Sequence, residues 1–93
     1  QQKSVPALPL KFTQQLGSTV RLNRQKAGYS IASLASRAGM TYSQVARIEL
    51  GKISTSAHTL FVLSEALGIK TYELLDSLHQ SRMEEQHEMV ASH

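Results

Sequence analysis

Four glycines, at positions 28, 39, 51 and 68, divide the middle of the chain into five short segments. Within each segment apolar residues recur three or four positions apart, which places them on one face of an α-helix. A serine or threonine precedes the second, third and fourth segments, where its side chain can cap a helix N-terminus. Glycine in turn tolerates the left-handed backbone that commonly ends a helix. The pattern predicts an all-α fold of five helices.

The helix boundaries and the core follow from this spacing. The expected helices run from Phe12 to Gly28, from Ser30 through Ala38, from Thr41 to Gly51, over Ala57–Leu67 and from Thr71 onward. The expected core consists of Phe12, Leu16, Val20, either Ile31 or Leu34 with Ala35, Val45, Ile48, Leu60, Leu63, Leu67, Leu74, Leu75 and Leu78.

Three regions are expected along the chain. Pro6 and Pro9 favour extended backbone, so residues 1–11 are expected to form a flexible arm. Residues 12–78 form the helical domain. The polar, acidic residues 79–93 form a C-terminal tail that can extend the last helix.

Composition excludes several functional classes. The chain has 93 residues and no cysteine, so we expect one domain without disulfides, thiolate metal sites or a thiol nucleophile. The four histidines are scattered, and no phosphate-binding glycine loop or Ser/His/Asp grouping appears. We therefore expect no enzyme, no metal and no cofactor. No apolar run approaches the 20 or so residues of a membrane span and no secretion signal is seen, so a cytoplasmic location is expected.

Charge is distributed unevenly along the chain. Residues 1–52 carry eight basic side chains and one acidic side chain, a balance of +7, whereas residues 53–93 have a balance of −4. A basic half attracts polyanions such as nucleic acid. Chance clustering on a solvated surface explains the same asymmetry about equally well, so charge alone does not decide between the two.

The second and third predicted helices have the spacing of a helix-turn-helix motif. Ala35 is small enough for the two helices to cross closely, and Gly39 accepts the positive φ of a tight turn. If Val45 and Ile48 face inward, the opposite side of the third helix remains exposed and carries short or planar polar groups. A DNA major groove about 12 Å wide accepts such a helix.

A set of residues between positions 16 and 75 is typical of a known protein family. The set comprises Leu16-Gly17, Val20-Arg21, Arg24, Gly28, Ser30, Leu34-Ala35, Ala38-Gly39-Met40-Thr41, Val45, Arg47-Ile48-Glu49, Gly51-Lys52, Thr59-Leu60, Leu63, Ala66-Leu67-Gly68-Ile69 and Glu73-Leu74-Leu75. In this set the chain resembles the phage Cro/repressor-like, or XRE-type, helix-turn-helix DNA-binding domains. The resemblance implies a bacterial or phage transcriptional regulator that binds double-stranded DNA. One recognition helix covers only a few base pairs, so we expect a homodimer that binds an inverted-repeat operator, with repression as the simplest mechanism.

The resemblance also assigns residues to roles. The base contacts it implies are Tyr42, Ser43 and Arg47, and Gln44 is a further candidate base contact. The phosphate contacts are Ser30, Ile31, Lys52, Ser54 and Ser56. It further implies that Arg24 and Glu49 form an inward ion pair joining the first and third helices. The chain departs from the family at Ile31, where glutamine is usual, at Leu50, where a polar residue is usual, and at Thr55, where proline is common.

Two of these residues have alternative roles. Gln44 either completes a capping box with Thr41 or reaches a base. Tyr42 is either a partly packed aromatic residue or a base contact, and its place in the first turn favours the latter. A second function is also open: an antitoxin would bind DNA through the same domain and a toxin protein through residues 80–93.

Overall fold

The computed structural model describes residues 10–76, and every regular element within that range is helical. The helices are α1 (Leu10–Lys26), α2 (Ile31–Ala38), α3 (Tyr42–Glu49), α4 (Ala57–Leu67) and α5, which begins at residue 71 and is described as far as residue 76. The predicted all-α fold with five helices is confirmed. Residues 1–9 of the predicted arm and the predicted tail, residues 79–93, lie outside the described residues. Residues 10 and 11, which were assigned to the arm, belong to α1, because that helix begins two residues before the expected Phe12.

The predicted serine and threonine caps are present. Ser30, Thr41 and Ser56 have extended backbones, and each side-chain oxygen accepts a hydrogen bond from the backbone N–H three residues later. These bonds satisfy N–H groups that a helix N-terminus otherwise leaves unpaired. Each helix start is therefore fixed by residues that are neighbours in sequence.

The turn between α2 and α3 has the geometry that the motif requires. Gly39 has φ of +68°, and the N–H of Met40 donates to the carbonyl of Ala35 at 2.9 Å. This backbone bond closes the end of α2 and reverses the chain, as in other glycine-terminated helices. Only two residues, Gly39 and Met40, separate α2 from Thr41, the cap of α3.

The core lies where the helices converge. Its buried apolar residues are Leu16, Val20, Leu34, Ala35, Val45, Ile48, Leu63, Ala66, Leu67 and Leu74. Phe12 and Leu60 are partly buried against this cluster. Of the two alternatives in α2, Leu34 is fully buried while Ile31 is half-buried.

One core prediction is wrong. Leu75 was expected to be buried with Leu74, but it is 42% exposed whereas Leu74 is fully buried. Successive residues of an α-helix point about 100° apart, so the burial of Leu74 does not by itself place Leu75 on the core side of the helix. The third residue of that group, Leu78, lies outside the described residues.

No helix in the described part of the chain is both long enough and apolar enough to cross a bilayer.

Candidate nucleic-acid interface

Helix α3 has one buried side and one exposed side. Val45 and Ile48 are 0% and 2% exposed and anchor the helix in the core. The four predicted base contacts, Tyr42, Ser43, Gln44 and Arg47, are all exposed, and we call them the α3 outer face. The structure therefore brings these four side chains together on the solvent side of one eight-residue helix.

The C-terminal end of α3 lies directly against α1. A Cβ atom placed on Gly17 would be 2.3 Å from the carbonyl oxygen of Ile48 and 2.6 Å from that of Glu49. The hydroxyl of Thr13, one helical turn before Gly17, donates to the carbonyl oxygen of Gly51 at 3.2 Å. The absence of a side chain at Gly17 permits this close approach, which holds α3 at a set distance from α1.

An ion pair adds a third connection between the same two helices. The Nε of Arg24 donates to one carboxylate oxygen of Glu49 at 2.6 Å, and a second guanidinium nitrogen donates to the other oxygen at 3.0 Å. A third bond, at 2.9 Å, reaches the carbonyl oxygen of Tyr29 before α2. The hydrogen bonds that Arg24 donates to Glu49 raise the pKa of Arg24, so the guanidinium stays charged. Glu49 thus faces the protein interior and not the exposed side of α3.

The N-terminal end of α3 is held by a capping box. The Oε1 of Gln44 accepts from the backbone N–H of Thr41 at 2.9 Å, while the hydroxyl of Thr41 accepts from the backbone N–H of Gln44 at 3.1 Å. A glutamine side chain has an oxygen acceptor and an NH₂ donor. The cap occupies the oxygen, so the two roles expected for Gln44 are compatible: its NH₂ group can still donate to a base.

The five predicted phosphate contacts occupy three places. Ser30 and Ile31 form the start of α2, and Ser56 forms the start of α4. Lys52 and Ser54 are exposed in the loop after α3. The backbone N–H of Lys52 donates to the carbonyl oxygen of Arg47 at 2.9 Å, which joins the loop to the end of α3. Helix N-termini and lysine are both groups that bind phosphate.

A groove lies between the start of α2, α1 and α3, and we call it the α2–α3 groove. Its volume is about 320 Å³. Its lining residues are Arg21, Arg24, Ile31, Tyr42, Ala46, Glu49 and Leu50. Arg21, Ala46 and Leu50 line this groove but are not among the predicted site residues. A signal existed in the sequence, since Tyr42, Ala46 and Leu50 are spaced by four and share one stripe of a helix.

Arg37, one of the eight basic residues of the N-terminal half, has a structural position. Its Nε donates to the carbonyl oxygen of Ala66 at 3.0 Å, at the end of α4, and its guanidinium lies 4.6 Å from the centroid of the Tyr29 ring. The bond satisfies a carbonyl that the last turn of α4 leaves unpaired.

Within residues 10–76 no cluster of three acidic or histidine side chains could hold a metal ion.

Solved structures of other proteins share this helical arrangement, whereas a search of curated protein sequences finds no match. The restriction-modification controller protein C.AhdI from Aeromonas hydrophila is 31% identical in sequence. The match covers 67% of this chain and 94% of C.AhdI with a TM-score of 0.65. The clp gene regulator ClgR from Corynebacterium glutamicum is 22% identical, covering 87% of both chains with a TM-score of 0.74, and supports the fold alone.

A third solved structure is similar as well. The hypothetical transcription factor NHTF from Neisseria is 25% identical, and the match covers 80% of this chain and 88% of NHTF with a TM-score of 0.66. The HTH_3 helix-turn-helix family model matches residues 20–74, which include all of α2, α3 and α4. The chain therefore belongs to the HTH_3 helix-turn-helix family of DNA-binding transcriptional regulators.

Proposed function

We propose that this regulator binds an inverted-repeat operator as a homodimer and represses transcription by occupying a promoter. The observation that carries the proposal is the α3 outer face, which is exposed while the opposite side of the same helix is buried. A helix with one buried side and one exposed side can enter the major groove and place side chains on base edges without unfolding any part of the core.

The proposed roles follow from the chemistry of each side chain. Arg47 donates in bidentate fashion to the O6 and N7 atoms of a guanine, which discriminates against other bases by about 1–3 kcal/mol. Tyr42, Ser43 and Gln44 contact further base edges. The phosphate contacts are Ser30, Ile31 through its backbone N–H, Lys52, Ser54 and Ser56, which orient the domain without reading sequence.

The length of α3 supports a dimer. Eight residues with a rise of 1.5 Å each make a helix about 12 Å long, which spans only three or four base pairs. So short a half-site gives little specificity, whereas two half-sites about 34–36 Å apart double the number of bases read. Regulators of the HTH_3 family bind DNA and often act as dimers. The antitoxin alternative requires residues 80–93, which lie outside the described residues, and no observation favours it.

Selection of bound sequences from a random duplex pool tests the proposal. We expect the selected sites to be inverted repeats whose half-sites are centred one helical turn apart. Arg47→Ala should lower affinity for the selected duplex far more than for a scrambled duplex, because base contacts carry the specificity. Equal losses on both duplexes would show that Arg47 is not a base contact.

Salt dependence separates the phosphate contacts from the base contacts. Lys52→Ala should weaken binding to both duplexes and reduce the slope of log K against log salt by about 0.9 for each lysine removed. The matched control is Lys70→Ala, which removes an exposed lysine of the acidic half, beside Tyr72 and outside the proposed interface. An unchanged slope in Lys52→Ala would contradict the phosphate role.

A further inference from the structure

The α2–α3 groove has a surface that phosphate contacts do not explain. Ile31, Ala46 and Leu50, which line it, have hydrocarbon side chains, and the side chain of Tyr42, which also lines it, belongs to a residue that is 59% exposed. Two of its charged lining residues, Arg24 and Glu49, neutralise each other through the bidentate ion pair. The remaining charged lining residue is Arg21, which is exposed. The groove is therefore an apolar cleft with a cation beside it.

This cleft is continuous with the proposed DNA-binding surface. Tyr42 belongs both to the α3 outer face and to the lining of the groove, and Ala46 lies one helical turn beyond it. When the outer face meets the base edges of a major groove, the cleft is next to those edges. Base edges in the major groove present hydrogen-bonding atoms and one apolar group, the 5-methyl group of thymine.

We infer that the α2–α3 groove binds the 5-methyl group of a thymine, with Ile31, Tyr42 and Ala46 as specificity-determining residues. The inference rests on the proposed function, since it concerns the same interface. Neither Ile31 nor Ala46 has a side-chain group that could hydrogen-bond to a base, so a polar base atom placed there would lose its water without gaining a partner. A methyl group loses nothing on leaving water.

The expected size of the effect is modest and measurable. Burying one methyl or methylene group contributes about 0.8 kcal/mol, which corresponds to a factor of about four in the dissociation constant. Deoxyuridine lacks only the 5-methyl group of thymidine and keeps the same hydrogen-bonding atoms. Replacing one thymidine by deoxyuridine therefore removes the proposed contact and leaves base pairing unchanged.

The test uses the full chain and the selected operator duplex, with each thymidine replaced in turn by deoxyuridine. We expect about a fourfold loss of affinity at one thymidine in each half-site. In Ile31→Ala and Ala46→Ser, the ratio of the dissociation constants for the deoxyuridine and thymidine duplexes should fall toward one. Ala46→Ser is included because Ile31 also packs against the core. The matched control, Leu22→Ala, removes an aliphatic side chain of α1 that is 52% exposed and lies outside the groove, so it should keep the fourfold ratio.

Equal binding of thymidine and deoxyuridine at every position of a specifically bound duplex would overturn this inference and leave the proposed function intact. A fourfold ratio that persists in both Ile31→Ala and Ala46→Ser would also overturn it, because the methyl contact would then lie elsewhere on the protein. If the wild-type chain did not distinguish the selected duplex from a scrambled one, the proposed function and this inference would both fail.

Discussion

Gly17→Ala is expected to destabilise the fold strongly, although alanine is normally the better residue inside a helix. Helix propensity alone favours alanine by about 1 kcal/mol. The new Cβ would lie 2.3 Å from the carbonyl oxygen of Ile48, more than 1 Å closer than ordinary van der Waals contact. The opposing atoms belong to the backbone, so α3 itself must move away from α1.

The magnitude follows from comparing these two effects. Overpacking in a tight core commonly costs 1–3 kcal/mol, and a clash with two backbone carbonyls at once lies at or above the upper end of that range. After subtraction of the propensity gain, we expect the free energy of unfolding to fall by about 2–3 kcal/mol. For a domain of this size that loss corresponds to a melting temperature lower by roughly 10–20 °C.

Urea unfolding followed by far-ultraviolet circular dichroism measures this change. Ser18→Ala is the matched control, because Ser18 is the exposed neighbour of Gly17 and alanine there improves propensity without a clash. We expect the control to be at least as stable as the wild type. If Gly17→Ala proved as stable as Ser18→Ala, the close approach of α1 and α3 would be refuted.

Two further substitutions test the ends of α3. Glu49→Gln should lower the free energy of unfolding by about 3 kcal/mol, because the charged guanidinium of Arg24, whose side chain is 12% exposed, is then left without a carboxylate. Adding Arg24→Met should recover part of the loss in the same urea assay, and no recovery would argue against the pair. Thr41→Ala should cost about 1 kcal/mol through loss of the N-cap, measured as a lower melting temperature, and an unchanged value would show that the capping box contributes nothing.

Local features were the ones that the sequence predicted well. The N-caps at Ser30, Thr41 and Ser56 depend on hydrogen bonds that span three residues, so the signals lie within one helical turn. The left-handed turn at Gly39 depends on a single residue without a Cβ. Such features need no knowledge of which helices meet.

Features that depend on which helices meet were harder to predict. The role of Gly17 appears only when the carbonyls of α3 lie against α1, more than 30 positions later in the chain. In the sequence Arg37 counted only as one of eight basic residues, but its partners are the ring of Tyr29 and the carbonyl of Ala66, which lies 29 residues away. The α2–α3 groove combines residues of three helices. Its apolar character was visible only as isolated departures from the family pattern at Ile31 and Leu50.

The attachment of α3 predicts that residues behind this helix affect DNA binding without touching DNA. The C-terminal end of α3 is fixed by Gly17, by the Thr13–Gly51 bond and by the Arg24–Glu49 pair. The helix is about 12 Å long, so a tilt that shifts one end by 1 Å also displaces the side chains at the other end.

Thr13→Val leaves the shape of that contact nearly unchanged and removes the hydroxyl donor to Gly51, which costs about 1 kcal/mol of stability. We expect a weaker affinity for the selected duplex with an unchanged salt slope, because no phosphate contact is lost. A reduced slope in Thr13→Val, like that expected for Lys52→Ala, would show instead that the substitution disturbs the phosphate contacts.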